Sequence, residues 1–213
     1  FAYYNQRLRA AKFHVIDTPA GVCYGAEREA DQGMQYWRIA QFMLPFYGMS
    51  PPGGAFEGIP ASLTAAVPMD DEHTMYIHFI NKRVTQEGYD FLLDREVQKR
   101  NEGRNGYTGL PGARNQDRAI TSSMGPIMDR TNEHLGQTDM QLIRVRRRLI
   151  NAARALAETG AVPPGSVNPE YYRVRSGEIF LPEGADWVGE TEELRKGFIG
   201  PVPHPGLAPL SVG

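Results

Sequence analysis

The strongest constraint on the fold is a change of period along the chain. From Lys12 to about Asn81, short apolar stretches are broken by turn signals at Thr18-Pro19-Ala20-Gly21, Ser50-Pro51-Pro52-Gly53-Gly54 and Met69-Asp70-Asp71-Glu72. That is the pattern of antiparallel strands. From Asp139 to about Glu158, by contrast, Leu142, Val145, Leu149, Ala153 and Leu156 recur at helical spacing. A half-apolar sheet and a long amphipathic helix each need a cover, so the expected class is α+β, with several antiparallel strands gripping one long C-terminal helix. The space between helix and sheet then becomes a pocket suited to apolar ligands.

Within this frame, Met34 to Tyr47 and Thr74 to Asn81 have the aromatic and β-branched content of strands. Gln86 to Arg100 consists of helix formers, and Asn101 to Ala113 is a glycine-bearing loop of the kind that forms lids. A short helical stretch is expected from Asp117 to Met124, broken at Gly125-Pro126. For the long helix, Thr138 offers a cap and Gln141 completes a capping box, while Gly160 and Pro163-Pro164 end it. Val167 to Leu181 is expected to add a short strand. The organisation expected is one domain over residues 1–196 and a proline-rich tail over 197–213, with Pro201, Pro203, Pro205 and Pro209.

Composition removes several classes of function. With 23 basic and 25 acidic residues the formal net charge is -2, which gives no field to recruit nucleic acid or an anionic membrane. No apolar run approaches the roughly 20 residues of a membrane span. One cysteine, Cys23, can build neither an intrachain disulfide nor a thiolate-held cluster, and a cytoplasmic setting is expected. The opening at Phe1, without an initiator methionine or a signal peptide, leads to the expectation that this is the later part of a longer polypeptide. Arg144, Arg146, Arg147, Arg148 and Arg154 on the long helix are expected to form a solvated face, since no stacking aromatics are interleaved with them.

Residues able to carry chemistry are few. No serine occupies a sharp glycine-flanked turn, and the glycines between Gly103 and Gly112 lack a phosphate-cradling spacing. His14, His73, His78, His134 and His204 are scattered, with no pair at the spacing that brings two imidazoles to one ion. The run Met69 to His73 is dense in ligand types but falls where two strands need a turn. Asp117, at the start of its helical stretch, is by pattern an N-cap, and His134 sits in a charged connector where a structural role is expected.

Several long segments, however, occur together and in order: VPMDDEHTMYIHF (Val67 to Phe79), Tyr107-Thr108-Gly109, QDRAITSSMGPIMDRTNEHLGQTD (Gln116 to Asp139) and the following RVRRRLINAARAL. Together they closely resemble the C-terminal catalytic domain of phthalate-dioxygenase-like Rieske non-heme iron aromatic-ring oxygenases. The resemblance implies a helix-grip, START/Bet v1-like fold holding one mononuclear Fe(II), with a [2Fe-2S] Rieske cluster in an N-terminal domain absent from this chain. It implies an oxygenase component, a dioxygenase or monooxygenase, acting on an aryl carboxylate or aryl ether with O2. Electrons would come from a separate electron-transfer reductase, and the assembly expected is a homo-oligomer, a trimer. The iron in such proteins is held by two histidines and one carboxylate, which leaves positions open for dioxygen. The carboxylate falls on Asp117, overturning its expected capping role. Tyr76 and His78, which share a strand face if Thr74 to Asn81 alternates regularly, are expected to border the substrate pocket. The paired histidines and the cysteine-histidine cluster motifs are not in this chain, so the 213 residues alone are expected to be inactive. The rival readings are a metal-free carrier of a hydrophobic ligand, an inactive fragment, and an interaction module working through the arginine-rich helix.

Overall fold

The computed structural model describes residue 4, residues 7 and 8, and residues 10–51, 62–79 and 113–197. The expected helix from Gln86 to Arg100, the glycine-bearing loop that follows it and almost all of the proline-rich tail lie outside the described residues. The chain divides into two compact units, one of Phe1–Ala66, Tyr76–Phe79 and Leu135–Gly213, the other of Val67–Met75 and Ile80–His134.

Six strands follow one another in sequence and in space: β1 (Lys12–Asp17), β2 (Gly21–Glu29), β3 (Met34–Met43), β4 (Tyr47–Ser50), β5 (Ser62–Pro68) and β6 (Thr74–Phe79). A seventh, β7 (Gly177–Pro182), pairs antiparallel with β3. β3 organises the sheet. One edge pairs along its length with β2, from Gly21↔Met43 to Glu29↔Gln35. The other edge is shared, with β7 on Met34 to Ile39 and β4 on Gln41 to Met43. The strand expected from Met34 to Tyr47 is thus two strands, parted at Leu44-Pro45-Phe46. Proline has no N–H to give to a ladder, so the pairing breaks there. The turn expected at Thr18 to Gly21 is present, closed by reciprocal backbone bonds of 2.9 and 3.1 Å between Thr18 and Gly21.

Alternation along β2 and β3 sends Cys23, Trp37 and Ile39 to one face, where they form a core with Leu181 of β7 and Trp187. Trp187 begins a short helix (Trp187–Glu190) capped by Asp186, whose carboxylate accepts from the Val188 N–H. Its indole stacks on Trp37 with centroids 5.5 Å apart and planes 14° from parallel. The packing requires Gly25, since a Cβ there would lie 2.9 Å from the Trp37 ring and 3.1 Å from that of Trp187. Burial holds the Cys23 thiol up to about 12, so it packs as a small apolar group.

Helix α1 spans Ala113–Ser123 and helix α2 spans Met140–Thr159. α2 is the long helix expected from the sequence, and it ends as expected on Gly160, whose φ of 72° is left-handed. Its start differs. A single 3-10 turn (Gln137–Asp139) precedes it, so Thr138 lies inside that turn, and the Asp139 carboxylate accepts from the Gly136 N–H at 2.9 Å. Its packed stripe includes Gln141, Val145, Arg148, Leu149, Ala152 and Ala155, so Val145 and Leu149 of the expected row are packed, whereas Leu142, Ala153 and Leu156 are exposed.

The arginines are why the stripe differs. Arg144 donates a two-pronged fork to Asp17 at the end of β1, through Nε at 2.8 Å and Nη2 at 2.5 Å. Arg148 reaches the Thr18 carbonyl at 2.8 Å and bonds the Gly21 carbonyl as well. Two of the five arginines assigned to a solvated face are therefore the clasp that binds α2 to the β1–β2 turn. Among the described residues no helix is long and apolar enough to cross a membrane.

Candidate functional site

Asp117 lies one turn inside α1, not at its start. The helix begins at Ala113, so the capping role expected from sequence does not apply. The Asp117 carbonyl accepts from the Thr121 hydroxyl at 3.0 Å, an ordinary i to i+4 back-bond, while the carboxylate is exposed. Among the described residues no group donates a hydrogen bond to that carboxylate. Aspartate is a poor helix former away from the N-terminus, so its place here is not explained by local stability. α1 closes with Ser123 donating to the Ile120 carbonyl at 2.6 Å, and Gly125 then takes a φ of 82° before Pro126, the break expected from sequence.

The connector after α1 is stiffened by its own side chains. Asp129 accepts from the Thr131 N–H at 2.9 Å, the Thr131 hydroxyl at 2.7 Å and the Asn132 amide at 2.9 Å, which holds its carboxyl below the usual carboxylate range. His134 follows, exposed. Among the described residues no group of three or more His, Cys, Asp or Glu side chains stands ready for a metal ion. Asp117 is thus a single exposed anionic oxygen donor, chemistry that a metal ion such as Fe(II) accepts.

The Met69 to His73 run is a turn, as expected. The Asp70 carboxylate accepts from the backbone N–H groups of Glu72 and His73 at 2.8 and 2.7 Å and bonds the His73 ring at 2.9 Å. These bonds hold Asp70 below the usual carboxylate range. From this turn β6 carries Tyr76, 67% exposed, and His78, half-buried, on one face of the strand. Both belong to the first unit, and Asp117 to the second.

Sequence patterning missed a polar cluster in the sheet. Tyr36 donates to Glu178 at 2.9 Å, and Arg38 Nε stands 3.1 Å from the same oxygen, within ion-pair range but off the hydrogen-bond line. Burial raises the Glu178 carboxyl above its ordinary value, with Tyr36 and Arg38 opposing. On the other face, His14 Nε2 lies 2.6 Å from Glu27, whose second oxygen accepts from Gln35 at 2.5 Å. The pairing of Tyr36 and Arg38 with Glu178 depends on a β3–β7 register across more than 130 residues of chain, which no local pattern reveals, whereas that of His14, Glu27 and Gln35 follows from the neighbouring β1–β2 and β2–β3 pairings.

A family model described as LigXa C-terminal domain like matches residues 81–196, a range that includes Asp117 and α2. The 3-chlorobenzoate-3,4-dioxygenase oxygenase subunit of Comamonas testosteroni is 33% identical over 230 residues, covering 89% of this chain and 52% of that protein. The phthalate 4,5-dioxygenase oxygenase subunit of Pseudomonas putida is 27% identical over 212 residues, covering 84% of this chain and 46% of that protein. The chain spans about half the length of these curated relatives.

Proposed function

The chain belongs to the catalytic-domain family of Rieske aromatic-ring oxygenases, and from that premise we propose that its complete protein inserts dioxygen-derived oxygen into an aryl carboxylate or aryl ether. In this reading Asp117 is the carboxylate ligand of a mononuclear Fe(II), and the two histidine ligands and the [2Fe-2S] Rieske cluster belong to sequence outside these 213 residues. Bound iron supplies the open coordination positions at which dioxygen is activated. The observation that carries the assignment is Asp117 itself, an exposed carboxylate inside a helix where it caps nothing, within the matched segment. Its role is to hold the metal as an anionic oxygen donor, fixed to a helical backbone rather than a loop.

In the same reading α2 and the sheet of the first unit form a helix-grip frame, and Tyr76 and His78 on β6 contact the aromatic substrate. A tyrosine hydroxyl and an imidazole give a pocket wall polar handles on a largely apolar lining. In this reading a separate reductase would supply the electrons through the cluster, and the complete protein would work in the cytoplasm as a homo-oligomer, a trimer. Ring dihydroxylation, or monooxygenation ending in dealkylation or ether cleavage, are the two reaction outcomes this arrangement serves.

The test is oxygen uptake by the complete protein supplied with reductase, across a panel of benzoates, phthalates and phenoxybenzoates. Uptake tied to an oxygenated product is the expected result, and Asp117→Ala should lower it by more than the roughly 10–100-fold that loss of a supporting residue beside a metal costs. Ligand binding without any oxygen uptake would instead identify a hydrophobic-ligand carrier.

A further inference from the structure

The β2–β3 turn presents one carboxylate on a stiff support. Gln32 and Gly33 are both left-handed, with φ of 61° and 70°, the two-residue hairpin geometry that matches the twist of its strands. Glutamine seldom takes that backbone, so the chain accepts a strained residue here. The Met34 N–H closes the turn on the Asp31 carbonyl at 3.3 Å, and the Glu183 N–H ties it to the end of β7 by donating to the Gly33 carbonyl at 3.0 Å. Each oxygen of the Asp31 carboxylate has its own donor. The Tyr4 hydroxyl donates to one at 2.6 Å, and Arg7 donates to the other at 2.8 Å. These bonds, that from Tyr4 foremost, hold the carboxyl below its ordinary value.

The same first residues are attached elsewhere on this sheet. The Tyr4 ring packs edge-on against Phe180, with centroids 5.2 Å apart, and lies 6.1 Å from the ring of the buried Tyr36. Arg28 on β2 donates through Nε to the Leu8 carbonyl at 3.1 Å. Exposed ion pairs contribute little to stability, and the side chains of Asp31 and Arg7 are 57% and 46% exposed. What these contacts do determine is direction, because they fix residues 4 to 8 to β2, β3 and β7 before the chain enters β1. The matched family model is that of a C-terminal domain. In the oxygenase reading, on which this inference rests, the histidine ligands therefore come from sequence that precedes Tyr4. Ligands drawn from distant stretches of chain hold a metal well only while each keeps its place to within about 0.5 Å. We propose that the β2–β3 turn anchors that incoming segment, with Asp31 as a positioning residue that acts through Tyr4 and Arg7 to set where the histidines stand.

The test uses the complete protein, loaded with iron and challenged with a chelator. Asp31→Ala should release its mononuclear iron about tenfold faster than the unaltered protein, the lower edge of what groups that orient metal ligands from behind contribute to affinity. Its cluster absorbance and thermal midpoint should not change. Tyr4→Phe with Arg7→Met should release the iron equally fast, and adding Asp31→Ala to that pair should make release no faster, because all three side chains act through one contact. Hydrogen exchange at the amides of residues 4 to 8, a readout that needs no metal, should quicken in Asp31→Ala by a similar factor. Iron release that is unchanged in Asp31→Ala, or that quickens only as far as the midpoint falls, overturns the proposal, and so does a triple variant whose losses add. Asp117→Ala separates the two claims. If it loses the iron while Asp31→Ala keeps it, the anchor fails and the oxygenase reading stands. If the unaltered protein holds no mononuclear iron, the oxygenase reading fails and the anchor with it.

Discussion

Asp17 and Glu178 are both carboxylates in contact with arginine, yet their surroundings push them in opposite directions. At Asp17 the fork from Arg144, with Arg148 behind it, holds the carboxyl below its ordinary value. At Glu178 burial dominates and the carboxyl is raised. The sign follows by linkage. A depressed carboxylate contributes stability that is fully present above its unfolded value of about 3.9 and is lost as pH falls through its folded value. The Asp17→Asn variant should therefore melt below the unaltered protein at pH 7, and the gap should narrow as pH falls below about 3.9 and close once pH is below the folded value, as a series of thermal melts into acid would record. A gap that persisted in acid would show that Asp17 acts through packing rather than charge. None of this was legible in sequence. The arginines of α2 are visible as a charged stripe, but the acceptor at the far end of β1 lies 127 residues away, and a stripe alone does not distinguish a clasp from a solvated face. Asp117 shows the opposite limit. Its proposed role rests on the surrounding motif alone, and its place inside the helix was missed because a start at Ala113 rather than at Asp117 is a boundary shift of the size that local patterns resolve worst.

At the scale of elements, β3 carries the argument, because one of its edges serves both β4 and β7. Period-two alternation and the turn residues made most of the strands legible, and helical periodicity with Gly160 made α2 legible. The break at Pro45 was written in the sequence and outweighed by the apolar run around it. The packed stripe of α2 was placed only in part, with Val145 and Leu149 packed but Leu142, Ala153 and Leu156 exposed, for a different reason. Leucine spacing marks where a helix is apolar, whereas two arginine stems and two alanines decide where this one comes close to the β1–β2 turn. The stacked tryptophans supply a test of the core. Gly25→Ala places a methyl against both indoles and should cost about 1–3 kcal/mol, as overpacking does, whereas Trp187→Ala opens a cavity and should cost about 3–5 kcal/mol. Chemical denaturation would give both values, and a neutral Gly25→Ala would mean that the short C-terminal helix yields without loss.

At the scale of the whole molecule, the chain spans about half the length of the curated relatives it matches. It supplies an antiparallel sheet, a long helix clasped to it and an exposed carboxylate inside α1. About half of each relative's length has no counterpart here, and the proposed iron site is completed from outside these residues. Asp117 is therefore where the functional account is most exposed to failure, because it is the one ligand this chain is held to provide. The direct measurement is the metal content of Asp117→Ala in the complete protein, with iron determined by elemental analysis and the Rieske cluster followed by its visible absorbance. The account predicts that the mononuclear iron is lost while the cluster absorbance is unchanged. Full retention of the mononuclear iron in that variant would contradict it.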